Sequence, residues 1–346
     1  MKTLEYPKPR QARVADVPTP KPGIGQVLGR SLFCNISAGT EMGFYRGTAP
    51  QLGEKQGDFG LFEKVSGPDA YPMRSSDPGV WWMGYANVSE VVEVGPGVTR
   101  LKVGDRVFAK SGHKDHQLLA EAQCLLLPPG MRLEHATLIA LIEIAFNAVL
   151  DSRIKLLDTV AVFGMGTLGQ LVLQMAKKSG ANVIAIDALA GRLELAKKLG
   201  ADECVNVSIQ KDPGRVVQQL TRGRGADVVV EVSGNVGALS SAIRAAAFNG
   251  RVTVMSFYQG TAASLELGKE FHHKRIQLIS SQIGGIDPVL GRSWTPERRM
   301  EAALELVSLL DLEPLISHRF AFADIAEALQ VIDQHPGDVN AVLVKY

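Results

Sequence analysis

Cysteine is scarce in this chain of 346 residues: there are three, Cys34, Cys124 and Cys204, far apart and with no C-x-x-C pair. That excludes a disulfide framework and points to a reducing, cytoplasmic setting. An excess of charge of either sign is also missing, with Lys+Arg 37 against Asp+Glu 36 and a formal net charge of +1. No basic run exists to mark a nucleic-acid or anionic membrane partner. Long apolar runs are absent too: the stretch Ala136 to Ile142 is interrupted at Glu143, well short of a bilayer span. The first residues, MKTLEYPKPRQARV, have no apolar core, so a signal peptide is not expected. What is present is an ordinary globular composition, 46% hydrophobic and 21% charged, in a chain long enough to expect two domains.

The most informative stretch runs from Val160 to Asp187. Val160 to Phe163 is short, apolar and β-branched, as a strand buried on both faces should be. Gly164, Gly166 and Gly169 follow as G-x-G-x-x-G. The first allows a tight turn, the second a close approach of backbone to a pyrophosphate, and the third close packing of helix on strand. Leu168, Leu171, Val172, Met175 and Ala176 then repeat at helical spacing, predicting one buried face. A second strand, Val183 to Ile186, ends at Asp187, where a carboxylate that binds the adenosine ribose belongs. Expected cofactor contacts are therefore Gly164, Gly166, Thr167, Leu168 and Gly169, the anion sitting on the helix N-terminus, together with Asp187. Asp187 would repel a 2′-phosphate, which favours NAD over NADP. Arg192, five residues on, is the group that could meet adenine or a phosphate. Ser233, just after the strand Val228 to Val232, falls at the carboxyl edge of the same sheet, where ligands of such sheets bind.

The predicted fold is α/β, a β-rich domain joined to a doubly wound parallel sheet. Residues 1–141 carry Pro and Gly punctuation and alternating patterns, with Ser89 to Val94 and Val98 to Val107 expected as strands around Gly95-Pro96-Gly97. Thr48 to Met83 is a long loop whose Phe59, Phe62, Tyr71, Trp81 and Trp82 suggest a cover over a pocket. Residues 142–283 alternate strand and helix. Residues 284–346 are expected as a return segment completing the first domain, with helices near Pro296 to Leu310 and Ala323 to Ile332 and a closing strand Asn340 to Lys345. His272-His273 suits a surface or oligomer contact, and His318 a packing role.

This organisation, with Val92-Glu93-Val94-Gly95-Pro96-Gly97-Val98, Lys102-Val103-Gly104-Asp105-Arg106-Val107, Arg192-Leu193-Glu194-Leu195-Ala196 and Leu199-Gly200-Ala201-Asp202, resembles the medium-chain dehydrogenase/reductase superfamily over its whole length. The resemblance implies a GroES-like catalytic domain, a Rossmann cofactor domain, a cleft between them, a small-molecule substrate, and a homodimer or homotetramer. Zinc members of that superfamily hold the catalytic metal with a Cys in Cys-Gly-Thr-Asp, a His in Gly-His-Glu, and a third Cys or Glu. Here the corresponding stretches are Ser37-Ala38-Gly39-Thr40-Glu41 and Gly84-Tyr85-Ala86, and only Glu143 remains. One ligand cannot hold a catalytic zinc, which needs three, and Arg106 to Gln123 lacks the cysteines of a structural zinc lobe. No zinc is expected unless Cys34, Cys124, His113 or His116 converge. Ser37 to Glu41, Gly84-Tyr85, Glu270 to Arg275 and Ser280 to Gln282 are similar to a zinc-free subgroup, that of 2-desacetyl-2-hydroxyethyl bacteriochlorophyllide a dehydrogenase.

The expected activity is zinc-independent, NAD(P)-dependent hydride exchange with a secondary alcohol or ketone. Polyols, sugars and hydroxyethyl groups are the candidate substrates. Something must stabilise the developing oxyanion and carry its proton. Tyr85 stands where a ligand is lost, Thr40 matches the hydroxyl that relays protons in zinc relatives, His113 has a suitable pKa, and Glu143 is a polar residue left from the metal site. The alternatives are a quinone or enoyl reductase, or a nucleotide-binding protein without turnover.

Overall fold

The computed structural model describes the whole chain except residues 65–70, 81, 259–260, 263–264 and 292. It divides into two compact units, Met1–Ala140 with Ile316–Tyr346, and Leu141–Leu315. The fold is α/β, one unit built on a mixed sheet and the other on a parallel one. Among the described residues no helix is long and apolar enough to cross a membrane.

The first unit is organised around the strand Gln26–Ile36, which pairs antiparallel with Asn87–Val94, with His116–Ala120 and with the closing strand Ala341–Lys345. Ile316–Ala321 pairs parallel with that closing strand, so the chain end is bound into the sheet its beginning builds. A second, three-stranded sheet joins Lys2–Lys8 to Gln11–Asp16 and Met73–Arg74. Leu4, Tyr6, Cys34, Ile36, Met42, Phe44, Met83, Ile325, Leu329 and Val342 pack into one core. Val27, Val91, Val107, Leu119 and Cys124 belong to another.

Two expectations differ from the structure here. Of the segment 98–107 only Arg106 and Val107 are strand, the start of Arg106–Ala109. The backbone N–H groups of Thr99, Arg100 and Leu101 donate instead to the Glu121 carboxylate, at 3.0, 2.5 and 3.1 Å, so no ladder can use them. The return to the first unit begins at Ile316 rather than at 284. The helix Pro296–Leu309 stays with the second unit because Arg299, 2% exposed, is tied to the Ile283 and Gly285 carbonyls and to Glu143. Within the long loop, Trp82 stacks on Phe44 at 4.8 Å and the Tyr71 hydroxyl donates to the Phe44 carbonyl. Phe59 and Phe62 are exposed; Trp81 lies outside the described residues.

The second unit holds a six-stranded parallel sheet in the order 203–206, 182–187, 159–163, 226–231, 246–254, 277–280. Thr159–Phe163, at its centre, is buried throughout, which is why Val160 to Phe163 is continuously apolar. The helix Thr167–Lys178 is buried from Gly169 through Ala176, not along one face alone. Gln170 donates to the Met165 and Arg192 carbonyls while its Oε1 has no partner among the described residues, and Gln174 donates to and accepts from the Asp311 backbone. The strand order reverses between 159–163 and 226–231. In open α/β sheets that switch point, at the carboxyl ends of the strands, is where ligands bind.

Candidate functional site

The glycine turn occupies the switch point. Gly164 has φ +98°, and a Cβ there would lie 2.7 Å from the Ser233 Cα, so only glycine lets the two strand ends meet. A Cβ on Gly169 would lie 1.8 Å from the Gly164 carbonyl oxygen, whereas one on Gly166 would meet only Arg192 Nη1, at 3.9 Å. The first and third glycines thus serve packing, and the second faces open space. Gly166 is the N-cap of the following helix and provides no side-chain cap. The helix start at Thr167, Leu168 and Gly169 therefore presents N–H groups suited to a pyrophosphate.

Asp187 ends the strand Asn182–Asp187. Its Oδ2 accepts from the Met165 N–H at 2.7 Å and its Oδ1 from the Leu189 N–H at 2.9 Å, so the carboxylate is fixed against the turn before any ligand arrives. Arg192 Nη1 lies 3.9 Å from Oδ2. On the neighbouring strand, Glu231 is fully buried and accepts from the Ser233 N–H at 2.9 Å, from the Ser233 hydroxyl and from the Tyr258 hydroxyl. Burial and the Glu231 carboxylate push the Tyr258 phenol upward. Glu231 thereby pins the Ser233 turn that Gly164 abuts. The residues present fit a dinucleotide.

The other cluster lies within the first unit. Gly39 caps the helix Thr40–Arg46, and the turn before it brings Ser37 to Tyr85, whose hydroxyl donates to Ser37 Oγ at 2.5 Å. Tyr85 is raised to about 12: burial is the main cause, Glu41 adds to it, and hydrogen bonds with Ser37 and Thr40 oppose it. The phenol therefore stays protonated across neutral pH. His113 is not an open shuttle, being 1% exposed. Its Nε2 lies 2.7 Å from Glu41 Oε2, its Nδ1 3.0 Å from Cys34 Sγ, and the Tyr346 hydroxyl donates to that sulfur at 3.4 Å. Burial disfavours the charged ring, but Cys34 and Glu41 outweigh it and raise His113 well above its ordinary value. Tyr85, Thr40 and His113 are thus brought to one place.

Glu143 sits in the second unit, 2% exposed, and its Oε1 accepts from Arg299 Nε and Nη2 at 3.2 and 3.1 Å. Arg299 Nη1 donates to Asn147 Oδ1 at 2.6 Å. A guanidinium supplies the positive charge that a metal would otherwise bring to this carboxylate. Of the four groups whose convergence would revive a metal centre, Cys34 and His113 meet, but as a mutual contact with Glu41 on the far ring nitrogen. Cys124 belongs to a separate core and His116 pairs with Asp115. Among the described residues no group of three or more His, Cys, Asp or Glu could hold a metal ion. The sequence pattern named Glu41 and Cys34 without these roles and did not reveal Tyr346, Glu231 or Arg299. Glu41 carried a signal as an acidic residue in the first turn of the helix Thr40–Arg46.

The family model for zinc-binding dehydrogenases matches residues 167–307. D-guloside 3-dehydrogenase of Escherichia coli (strain K12) is 30% identical over 344 residues, covering 97% of each chain. (R,R)-butanediol dehydrogenase of Bacillus subtilis (strain 168) is 29% identical over 315 residues, 83% of this chain and 84% of that one. The crystal structure of galactitol-1-phosphate dehydrogenase from Escherichia coli superposes with a TM-score of 0.81 at 21% identity, covering 100% of both chains.

Proposed function

Because the chain belongs to the medium-chain dehydrogenase/reductase superfamily, we propose that it is a zinc-independent, NAD-dependent dehydrogenase of secondary alcohols of the polyol or sugar class. An alcohol oxidoreductase of this superfamily is what its relatives support; the cofactor choice, the absence of zinc and the substrate class are our inference. The substrate class is supported by relatives named for guloside and butanediol. A cytoplasmic homodimer or homotetramer acting on a small molecule completes the proposal.

The residues assigned to the cofactor are Gly164, Gly166, Thr167, Leu168 and Gly169 for the pyrophosphate, Asp187 for the ribose hydroxyls, and Arg192 and Ser233 at the same edge. A nicotinamide cofactor bound there supplies hydride exchange with the alcohol carbon. The observation that carries the zinc-free assignment is Tyr85. Its hydroxyl is held by Ser37 and Thr40 and raised to about 12, so it keeps a proton that it can redirect from Ser37 to a ketone or alkoxide oxygen. Thr40 supports the phenol, and Glu143, engaged by Arg299, holds the fold of its own unit rather than a metal.

The test follows the NADH absorbance band with a panel of polyols and sugars against a panel of enones and quinones. Oxidation of the first panel with NAD supports the proposal. Turnover of enones alone would make the chain a reductase of the second kind, and binding without turnover of either panel would make it a nucleotide-binding protein.

A further inference from the structure

Three chain segments meet at His113, and together they define where the Tyr85 hydroxyl lies. The His113 backbone N–H donates to the Met83 carbonyl at 3.1 Å. Gly84, at φ +105°, passes so close that a Cβ would lie 2.9 Å from the His113 nitrogen, so the backbone leading into Tyr85 is clamped. The ring reaches the opposite side: Nε2 is 2.7 Å from Glu41 Oε2, while Glu41 Oε1 accepts from the Ser37 N–H at 2.8 Å. Ser37 is the residue whose hydroxyl accepts from Tyr85. Cys34, 3.0 Å from Nδ1, and behind it Tyr346 fix the ring at its other nitrogen.

We propose that the buried Glu41–His113 pair positions the Tyr85 hydroxyl, holding the segment that carries the phenol at one end and the turn that accepts from it at the other. Glu41 is 0% and His113 1% exposed, so neither meets substrate. Buried ion pairs are poor sources of stability, and hydrogen-bonded supporting residues of this sort orient the groups that react. The proposal rests on the assignment of Tyr85 as the donor.

The charges give a signature that loss of packing does not. Glu41 faces His113, Tyr6, Tyr85 and Tyr346; Tyr346 in turn faces Cys34 and Asp115. The carboxylate pushes Tyr85 upward, and His113 fixes where that carboxylate lies. Glu41→Gln should therefore lower the pH at which Tyr85 ionises.

The experiment places a fluorinated tyrosine, which ionises at lower pH, at position 85 of the full chain and follows its fluorine resonance against pH without substrate. Glu41→Gln should lower the ionisation pH by about one unit, the scale for one nearby charge. Glu41→Gln and His113→Asn should both reduce kcat about 10-fold or more while NADH affinity is unchanged, since one donor is misplaced. An unmoved or raised titration in Glu41→Gln, or unchanged kcat in both variants, would overturn the proposal. If neither variant folds, Ser37→Ala keeps the ion pair and removes the hydroxyl that turns to donate to the ionised phenol. The resonance must then titrate at higher pH, and an unmoved titration refutes the link. The titration needs no turnover, so an inactive substrate panel would sink the activity assignment and leave this result legible.

Discussion

Replacing Asp187 by serine tests the cofactor assignment at its most exposed point. An ionised carboxylate offers about four lone-pair sites. Two are occupied, by the Met165 and Leu189 N–H groups at 2.7 and 2.9 Å, which leaves two for the ribose hydroxyls of NAD. A hydrogen bond to a charged acceptor contributes about 1.5–3 kcal/mol, and a serine hydroxyl retains part of one. The net loss for NADH is then about 1–3 kcal/mol, a dissociation constant weaker by about 5- to 150-fold. NADPH should bind more tightly, because the negative charge is gone and Arg192, whose Nη1 now lies 3.9 Å from that carboxylate, can turn to a 2′-phosphate. The assay is calorimetric or fluorescence titration of both nucleotides into wild type and Asp187→Ser. A thermal melt accompanies it, since Met165 and Leu189 lose an acceptor. A wild type that prefers NADPH, or a variant with an unchanged NADH to NADPH ratio, would refute the ribose assignment.

Two further outcomes follow from the same geometry. Elemental analysis should find well under one zinc per chain, and a chelator should leave turnover intact; stoichiometric, tightly held zinc would overturn the account. Arg299→Met leaves the Glu143 carboxylate buried without its charge partner and should cost about 3–5 kcal/mol in urea unfolding. Adding Glu143→Met should recover much of that, and a double variant no better than the single would show that the pair is not the cause.

The glycine turn and the sheet edge it sits on were legible in the sequence because everything they need is local. Strand, turn and helix lie within Thr159–Lys178, and Asp187 closes the next strand. The glycines are explained one by one by what a Cβ would strike. The Tyr85 cluster was legible only in part. Tyr85 and Thr40 could be nominated by their places in the family resemblance and His113 by its residue type, but the pairing of His113 with Glu41 spans 72 positions and buries an expected shuttle. Glu143 was visible as a residue left from a metal site, yet its partner Arg299 is 156 positions away. That same long-range tie keeps the helix Pro296–Leu309 in the second unit and moves the return to Ile316. The segment 98–107 alternates like a strand, but a side chain more than twenty residues on, Glu121, takes the hydrogen bonds a strand would need.

The central claim is that a phenol replaces a metal. Tyr85→Phe keeps the ring and removes the hydroxyl that Ser37 accepts from, so folding should be little affected. Steady-state turnover of the best secondary alcohol from the panel should fall by about 10²- to 10³-fold with NADH affinity unchanged, the range for losing one acid or oxyanion donor. Near-wild-type turnover in Tyr85→Phe would contradict the claim and leave Tyr85 as a wall of the pocket.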